Sequence, residues 1–166
     1  VQGILGTDDP AVVEKNYREL VNYYESAEKT RATFYPGILE AVAALRAAGV
    51  RTAVISNKPD PVTQKVMVVL GAAQHFDFIH GESPRFPRKP SPEAMLHVME
   101  EAGVGPGETI MVGDSAVDVE FARAAGVRMI GVPWGQTSPE ALRAAGAETV
   151  ITRAEELVEL VRGAGE

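Results

Sequence analysis

Residues 109–132 read TIMVGDSAVDVEFARAAGVRMIGV. Two short apolar runs, Thr109–Gly113 and Arg128–Val132, bracket a segment that closes on Gly126. Both runs are apolar on both faces, as parallel strands covered by helices on each side must be. A strand, a helix ended by glycine and a second strand make one unit of an α/β sheet.

The same grammar extends outward. TAVIS (52–56) and TVIT (149–152) are further strand candidates, with FDFIH (76–80) a weaker one. Helices are expected to open at Asp9-Pro10, Asp60-Pro61, Ser91-Pro92 and Ser138-Pro139. In each pair a capping residue precedes a proline, whose missing N–H suits the first helical position. Helices are expected to close at Gly49, Gly71, Gly103, Gly126 and Gly146, because glycine tolerates the left-handed conformation just past a helix end. RAAG recurs at 46–49, 123–126 and 143–146; the unequal spacing marks a helix ending and not a solenoid repeat. This alternation predicts an α/β fold, a three-layer, doubly wound, Rossmann-like parallel sheet over residues 34–166. Residues 1–33 differ. One amphipathic helix is expected from Asp9 to about Ser26, with Tyr17, Leu20, Val21 and Tyr24 on one face, followed by a polar linker to residue 33.

Composition sets bounds. The 166 residues suffice for one domain with a core and a smaller lobe, not for two full domains. With 45% hydrophobic and 23% charged residues the chain reads as globular. No apolar run approaches the length of a membrane span, and no secretory signal is visible. Sixteen Lys and Arg against 23 Asp and Glu give a net charge of −7, a poor match to nucleic acid. A small anionic substrate in a local pocket remains compatible with that balance. The absence of cysteine excludes disulfides, thiolate metal sites and cysteine nucleophiles, and fits a cytoplasmic location. The chain begins with Val1, which suggests a processed chain or a piece of a longer one.

Open parallel sheets bind ligands at the carboxyl ends of their strands. Ser56, Asn57 and Lys58 follow TAVIS, and a loop holding Arg88 and Lys89 follows FDFIH. Asp114, Ser115 and Asp118 follow TIMVG, and Trp134 and Gly135 follow RMIGV. Two acids, a lysine and small donors suit a phosphate with a divalent cation, since Mg²⁺ is typically held by one or two carboxylates plus substrate phosphate. Asp114 ends a buried strand, where a carboxylate needs a partner; it could also cap the next helix. Ser115-x-x-Asp118 has capping-box spacing, yet Asp118 also lies one helical turn from Asp114. Lys89 could be a solvated loop charge, and Ser56-Asn57 a simple turn. His75, His80 and His97 form no zinc pattern. Thr152-x-x-Glu155 is a second candidate capping box, and Trp134 is either packing or pocket wall.

Three motifs, VISNKP (54–59), RKPSP (88–92) and VGDSAVDVEFARAAGV (112–127), stand in this order. Together they resemble the haloacid dehalogenase-like phosphatases, most closely the phosphoglycolate phosphatase branch. The resemblance covers 34–166, and makes 1–33 the C-terminal part of a helical cap lobe with its linker. It implies that Ser56 hydrogen-bonds the transferring phosphoryl group and that Asn57 supports that loop, both as substrate-binding residues. It implies that Lys89 neutralises charge on phosphate and nucleophile, that Asp114 ligates Mg²⁺, and that Asp118 orients Asp114 or a metal-bound water. Such roles suit phosphoryl transfer, which is mostly positioning and charge neutralisation.

One departure is large. The family's nucleophile and its acid/base partner lie in a DxDxT motif on the first strand, and none of the six aspartates here (8, 9, 60, 77, 114 and 118) falls in one. The chain alone is therefore expected to be inactive, with the nucleophile supplied from outside it. The expected function is a Mg²⁺-dependent phosphatase of a small phosphorylated metabolite, 2-phosphoglycolate-like, acting as a monomer or homodimer. The alternatives are a non-catalytic phosphate- or metal-binding module and a phosphosugar mutase of the same fold. The resemblance implies that the missing strand lies between TAVIS and TIMVG. Those two runs should therefore not be bonded to each other, and such open edges should make the isolated chain prone to aggregate.

Overall fold

The computed structural model describes residues 9–26, 32–135 and 137–163. Helix α1 (Pro10–Ser26) is followed by α2 (Ile38–Ala47), β1 (Ala53–Pro59), α3 (Asp60–Val69), β2 (Phe78–Glu82), α4 (Glu93–Ala102) and β3 (Ile110–Gly113). Then come α5 (Ala116–Ala125), β4 (Arg128–Gly131), α6 (Pro139–Ala145), β5 (Thr149–Val150) and α7 (Glu155–Gly163). Every strand pair is parallel. β1 pairs with β2, while β3, β4 and β5 form a second sheet in that order.

β1 and β3 are not hydrogen-bonded neighbours, as expected from the sequence. They nonetheless share one core. Ile55 of β1 and Met111 of β3 both pack against the cluster that holds Met95, Met99, Phe121 and Leu142. Alternation along the strands explains the layering. Met111, Met129 and Val150 face that cluster, whereas Ile110, Val112, Ile130 and Ile151 face a second one with Leu157 and Leu160 of α7. Both faces are thus covered by helices, which is why the runs are apolar throughout. Phe121 and Leu142 are fully buried, each contributing roughly 1.5–3 kcal/mol through burial.

Helix ends follow local chemistry in most places. All five expected terminal glycines have positive φ, from 64° at Gly71 to 114° at Gly146. Ser138 caps α6 through the Ala141 N–H, and Asp9 accepts from the Ala11 N–H at the start of α1. Two openings differ. Asp60 lies inside α3 and spends its carboxylate on the Gly81 N–H, 2.8 Å away. Ser91 makes no cap; its hydroxyl donates to Glu93. The second expected capping box uses Glu156, not Glu155: Glu156 Oε1 accepts from the Thr152 and Arg153 N–H groups. β2 is shifted two residues beyond FDFIH, so His80 lies within the strand and Asp77 before it. The side chains of Leu20 and Tyr24, and residues 27–31 of the linker, lie outside the described residues. No helix among the described residues is long and apolar enough to cross a membrane.

Candidate active site

The carboxyl ends of β1 and β3 carry the residues singled out from the sequence. Ser56 and Asn57 lie within β1, which runs on to Pro59, at the register shift between Ile55 and Pro59 and not after the strand; Asp114 and Ser115 follow β3 directly and lead into α5. The loop between β2 and α4 brings Lys89 between them, with a cis peptide to Pro90.

Lys89 is tied at both of its ends. Its backbone N–H donates to Asn57 Oδ1 at 2.7 Å, and its carbonyl accepts from Asn57 Nδ2 at 3.2 Å. Its ammonium lies 2.6 Å from Asp118 Oδ1. Lys89 is therefore no solvated loop charge. The other oxygen of Asp118 accepts from the Ser115 hydroxyl at 2.7 Å and from the Asp114 and Ser115 N–H groups at 3.2 Å. The Ser115 hydroxyl oxygen in turn accepts from the Asp118 N–H. The capping box and the lysine partnership are both real: one carboxylate performs them with different oxygens. Asp118 is 5% exposed, and this many donors are what a buried carboxylate needs.

Ser56 Oγ accepts from the Lys58 N–H at 3.1 Å, which leaves its own O–H available to donate. Asp114 contrasts with Asp118. Among the described residues no hydrogen bond or ion pair engages its carboxylate, which lies against the backbone of Gly135. No group of three or more His, Asp or Glu side chains among the described residues is placed to hold a metal. A single free carboxylate at a strand end still fits Mg²⁺, which keeps several waters and draws further oxygens from substrate.

Gly113 and Gly135 press on the site's two aspartates and Gly81 on the β1–α3 junction beside it; of the three, Gly135 stands among the strand-end candidates of the sequence. A Cβ on Gly113 would stand 2.5 Å from Asp118 Cβ, and one on Gly135 would stand 2.5 Å from Asp114 Cγ. A Cβ on Gly81 would stand 2.5 Å from the Asp60 Cα. Only the absence of a side chain lets these groups approach. Trp134 serves as packing: its ring lies on the second core cluster and its Nε1 donates to the Thr152 carbonyl at 2.7 Å.

Comparison with known proteins agrees with this arrangement. The family model for haloacid dehalogenase-like hydrolases matches residues 4–132. The chain is 34% identical over 154 residues to a phosphoglycolate phosphatase of Chromobacterium violaceum, covering 93% of this chain and 68% of that protein. It superposes with a TM-score of 0.78 on the structure of a candidate phosphoglycolate phosphatase from Lactobacillus delbrueckii subsp. bulgaricus. That match has 33% identity and covers 84% of this chain and 58% of the other. A candidate β-phosphoglucomutase from Thermotoga maritima gives a TM-score of 0.68 at 26% identity, covering 78% and 60%. The chain spans about half to two thirds of the length of the curated relatives it matches. Its ordered motifs, its parallel sheets and these matches agree on one assignment: the chain belongs to the haloacid dehalogenase-like hydrolases.

Proposed function

We propose that these residues serve a Mg²⁺-dependent phosphatase of a small phosphorylated metabolite, 2-phosphoglycolate or a close analogue, working through an aspartyl-phosphate. The observation that carries this reading is the linked set Asn57–Lys89–Asp118–Asp114, which gathers a buried cation and a free carboxylate at the strand ends. The nucleophilic aspartate lies outside residues 1–166, on an extended segment running between β1 and β3. Residues 34–166 form the catalytic core and 1–33 the end of a cap lobe. The protein works in the cytoplasm, as a monomer or homodimer, with neither nucleic acid nor membrane as partner.

In this reading the Ser56 O–H donates to a phosphoryl oxygen. The Lys89 ammonium, held by Asp118, faces the negative charge spread over the phosphoryl group. Asp114 holds Mg²⁺, which when bound supplies further charge neutralisation at the phosphate. Asp118 acts at one remove, fixing Lys89 with one oxygen and the Asp114 backbone with the other. Electrostatic positioning of this kind is the main protein contribution to phosphoryl transfer. The likeness to a candidate β-phosphoglucomutase favours one second reading, a phosphosugar mutase with the same phosphoryl chemistry and a second hydroxyl as acceptor.

The test is phosphate release by the complete protein from 2-phosphoglycolate, a hexose phosphate and other phosphomonoesters, with and without Mg²⁺. Release from 2-phosphoglycolate that needs Mg²⁺ supports the phosphatase. Isomerisation of the hexose phosphate without release favours the mutase. Inertness toward every ester, by a protein that carries the nucleophile strand, sinks both.

A further inference from the structure

We infer that Asn57 is a positioning residue that acts through Lys89, and not a ligand of the substrate. For the role of Lys89 this rests on the phosphatase reading above; for the role of Asn57 it rests on geometry.

The loop from Ser83 to Pro92 has little regular structure of its own. Its backbone bonds are a turn between Ser83 and Phe86 and one bond from Ser91 N to Arg88 O. Lys89 lies inside the second of these turns, which leaves its own N–H and C=O unused by it. Its N–H and C=O, half-buried and outside any helix or strand, need partners. The Asn57 amide supplies both, with one acceptor and one donor on the same plane. Asparagine and glutamine are the side chains that carry such a pair, so Asn57 imitates a neighbouring strand for a single residue. Two bonds to one peptide backbone fix the direction in which the Lys89 side chain leaves it. The ammonium is then fixed separately, by Asp118 at 2.6 Å.

The consequence is preorganisation. A free lysine side chain spends conformational freedom whenever its charge must be placed. Here both ends are held before substrate arrives, so the charge is in place when the phosphoryl group reacts. The Asn57–Lys89–Asp118 line also joins β1 to the β3–α5 junction, two elements that share no strand pairing. It sets the spacing between Ser56 on one side and Asp114 on the other.

The test uses Asn57→Ala, and Asn57→Asp as the isosteric variant that keeps the oxygen and loses the donor. Amide hydrogen exchange at Lys89 is measured first, without substrate. We expect about tenfold faster exchange in Asn57→Ala, as two net hydrogen bonds are lost, and a smaller rise in Asn57→Asp. Unchanged exchange in both variants would overturn the clamp. Kinetics of the complete enzyme follow. Displacing the lysine should lower kcat by about 10²-fold while KM stays within roughly threefold. In a Lys89→Ala background, Asn57→Ala should then cost little more, because the two act as one unit. A rise in KM with kcat retained, or full additivity with Lys89→Ala, would make Asn57 a substrate ligand and overturn the proposal. If the parent enzyme hydrolyses no phosphomonoester but the exchange result holds, the clamp stands and the phosphatase reading falls.

Discussion

The Lys89 ammonium meets Asp118 Oδ1 at 2.6 Å with both side chains nearly out of water, at 13% and 7% exposure. Removing one member of such a pair strands a buried charge, which typically costs about 3–5 kcal/mol. Asp118 additionally holds Ser115 and the Asp114 N–H. We therefore expect Asp118→Ala to lose about 4 kcal/mol or more of unfolding free energy. Lys89→Met should lose less, since Asp118 keeps three donors on its other oxygen. Urea unfolding of the two single variants and the double variant measures this. Equal losses for the two single variants would show that the Ser115 and Asp114 bonds add nothing.

Gly113 and Gly135 should separate stability from chemistry. At Gly113 the added Cβ meets Asp118 Cβ, an atom close to the α5 backbone, so the helix itself must move. At Gly135 it meets chiefly the carboxylate end of Asp114, which can rotate away, and then Asp114 Cβ at 2.9 Å, which needs a smaller shift. Gly113→Ala should cost about 1–3 kcal/mol, as overpacking does. Gly135→Ala should lower the unfolding midpoint less than Gly113→Ala does. In the complete enzyme it should raise the Mg²⁺ concentration for half-maximal activity about tenfold, as altered metal surroundings commonly do. Thermal melts and Mg²⁺ titrations of both variants decide it; a reversed pattern refutes the argument.

Local rules carried the sequence reading as far as local physics reaches. Gly49, Gly71, Gly103, Gly126 and Gly146 were legible because a left-handed residue at a helix end is a property of that residue. Ser138 was legible because its partner, the Ala141 N–H, is three residues away. Asp60 misled because its carboxylate is claimed by the Gly81 N–H, 21 residues on. FDFIH began too early because Asp77 closes on Thr52, its N–H donating to the Thr52 carbonyl and its carboxylate accepting from the Thr52 N–H, and the register of β2 with β1 opens only at Phe78. At the site, a parallel sheet puts strand-end residues on one rim, so Ser56 and Asp114 could be picked out. The Asn57–Lys89 bonds and the close approaches at Gly113 and Gly135 depend on the path of the folded chain, which no spacing encodes.

Asp77 should act as an acid-sensitive staple at the start of β1. Its carboxyl is held below its ordinary value, chiefly by the Thr52 N–H at 2.8 Å and then by Arg46. A carboxylate held low binds fewer protons folded than unfolded. Its contribution is thus present above about pH 3.8 and lost as pH falls through the folded value. Asp77→Ala should cost about 1–3 kcal/mol at neutral pH by orphaning the Thr52 N–H. The gap between variant and parent should narrow in acid. Denaturant unfolding across that range measures it, and a gap that is constant with pH would contradict the argument.

His80 should make the fold weaken earlier, in mild acid. Its ring lies 4.7 Å from Phe86 and 5.7 Å from His97, and His97 stacks on Phe86 at 5.1 Å. Its Nε2 is buried without a hydrogen-bond partner among the described residues. Burial first, and then His97, push its pKa below the ordinary 6.5; Asp60 and Glu101 pull the other way, and Arg85 adds the smallest push down. Between the folded and ordinary values the unfolded chain takes up a proton that the folded chain refuses. Stability should therefore be full above about pH 6.5 and fall as pH drops below it. His80→Phe keeps an aromatic ring in the stack and removes the titration. Its unfolding midpoint should change less than the parent's between about pH 7.5 and about pH 5.5, the span in which histidines titrate. Because Phe86 and Lys89 share one loop, protection of the Lys89 amide, taken relative to its intrinsic exchange rate at each pH, should fall over the same span in the parent and stay flat in His80→Phe. Parallel pH profiles for the two proteins would show that the stack tolerates the charge and that His80 is only a packing residue.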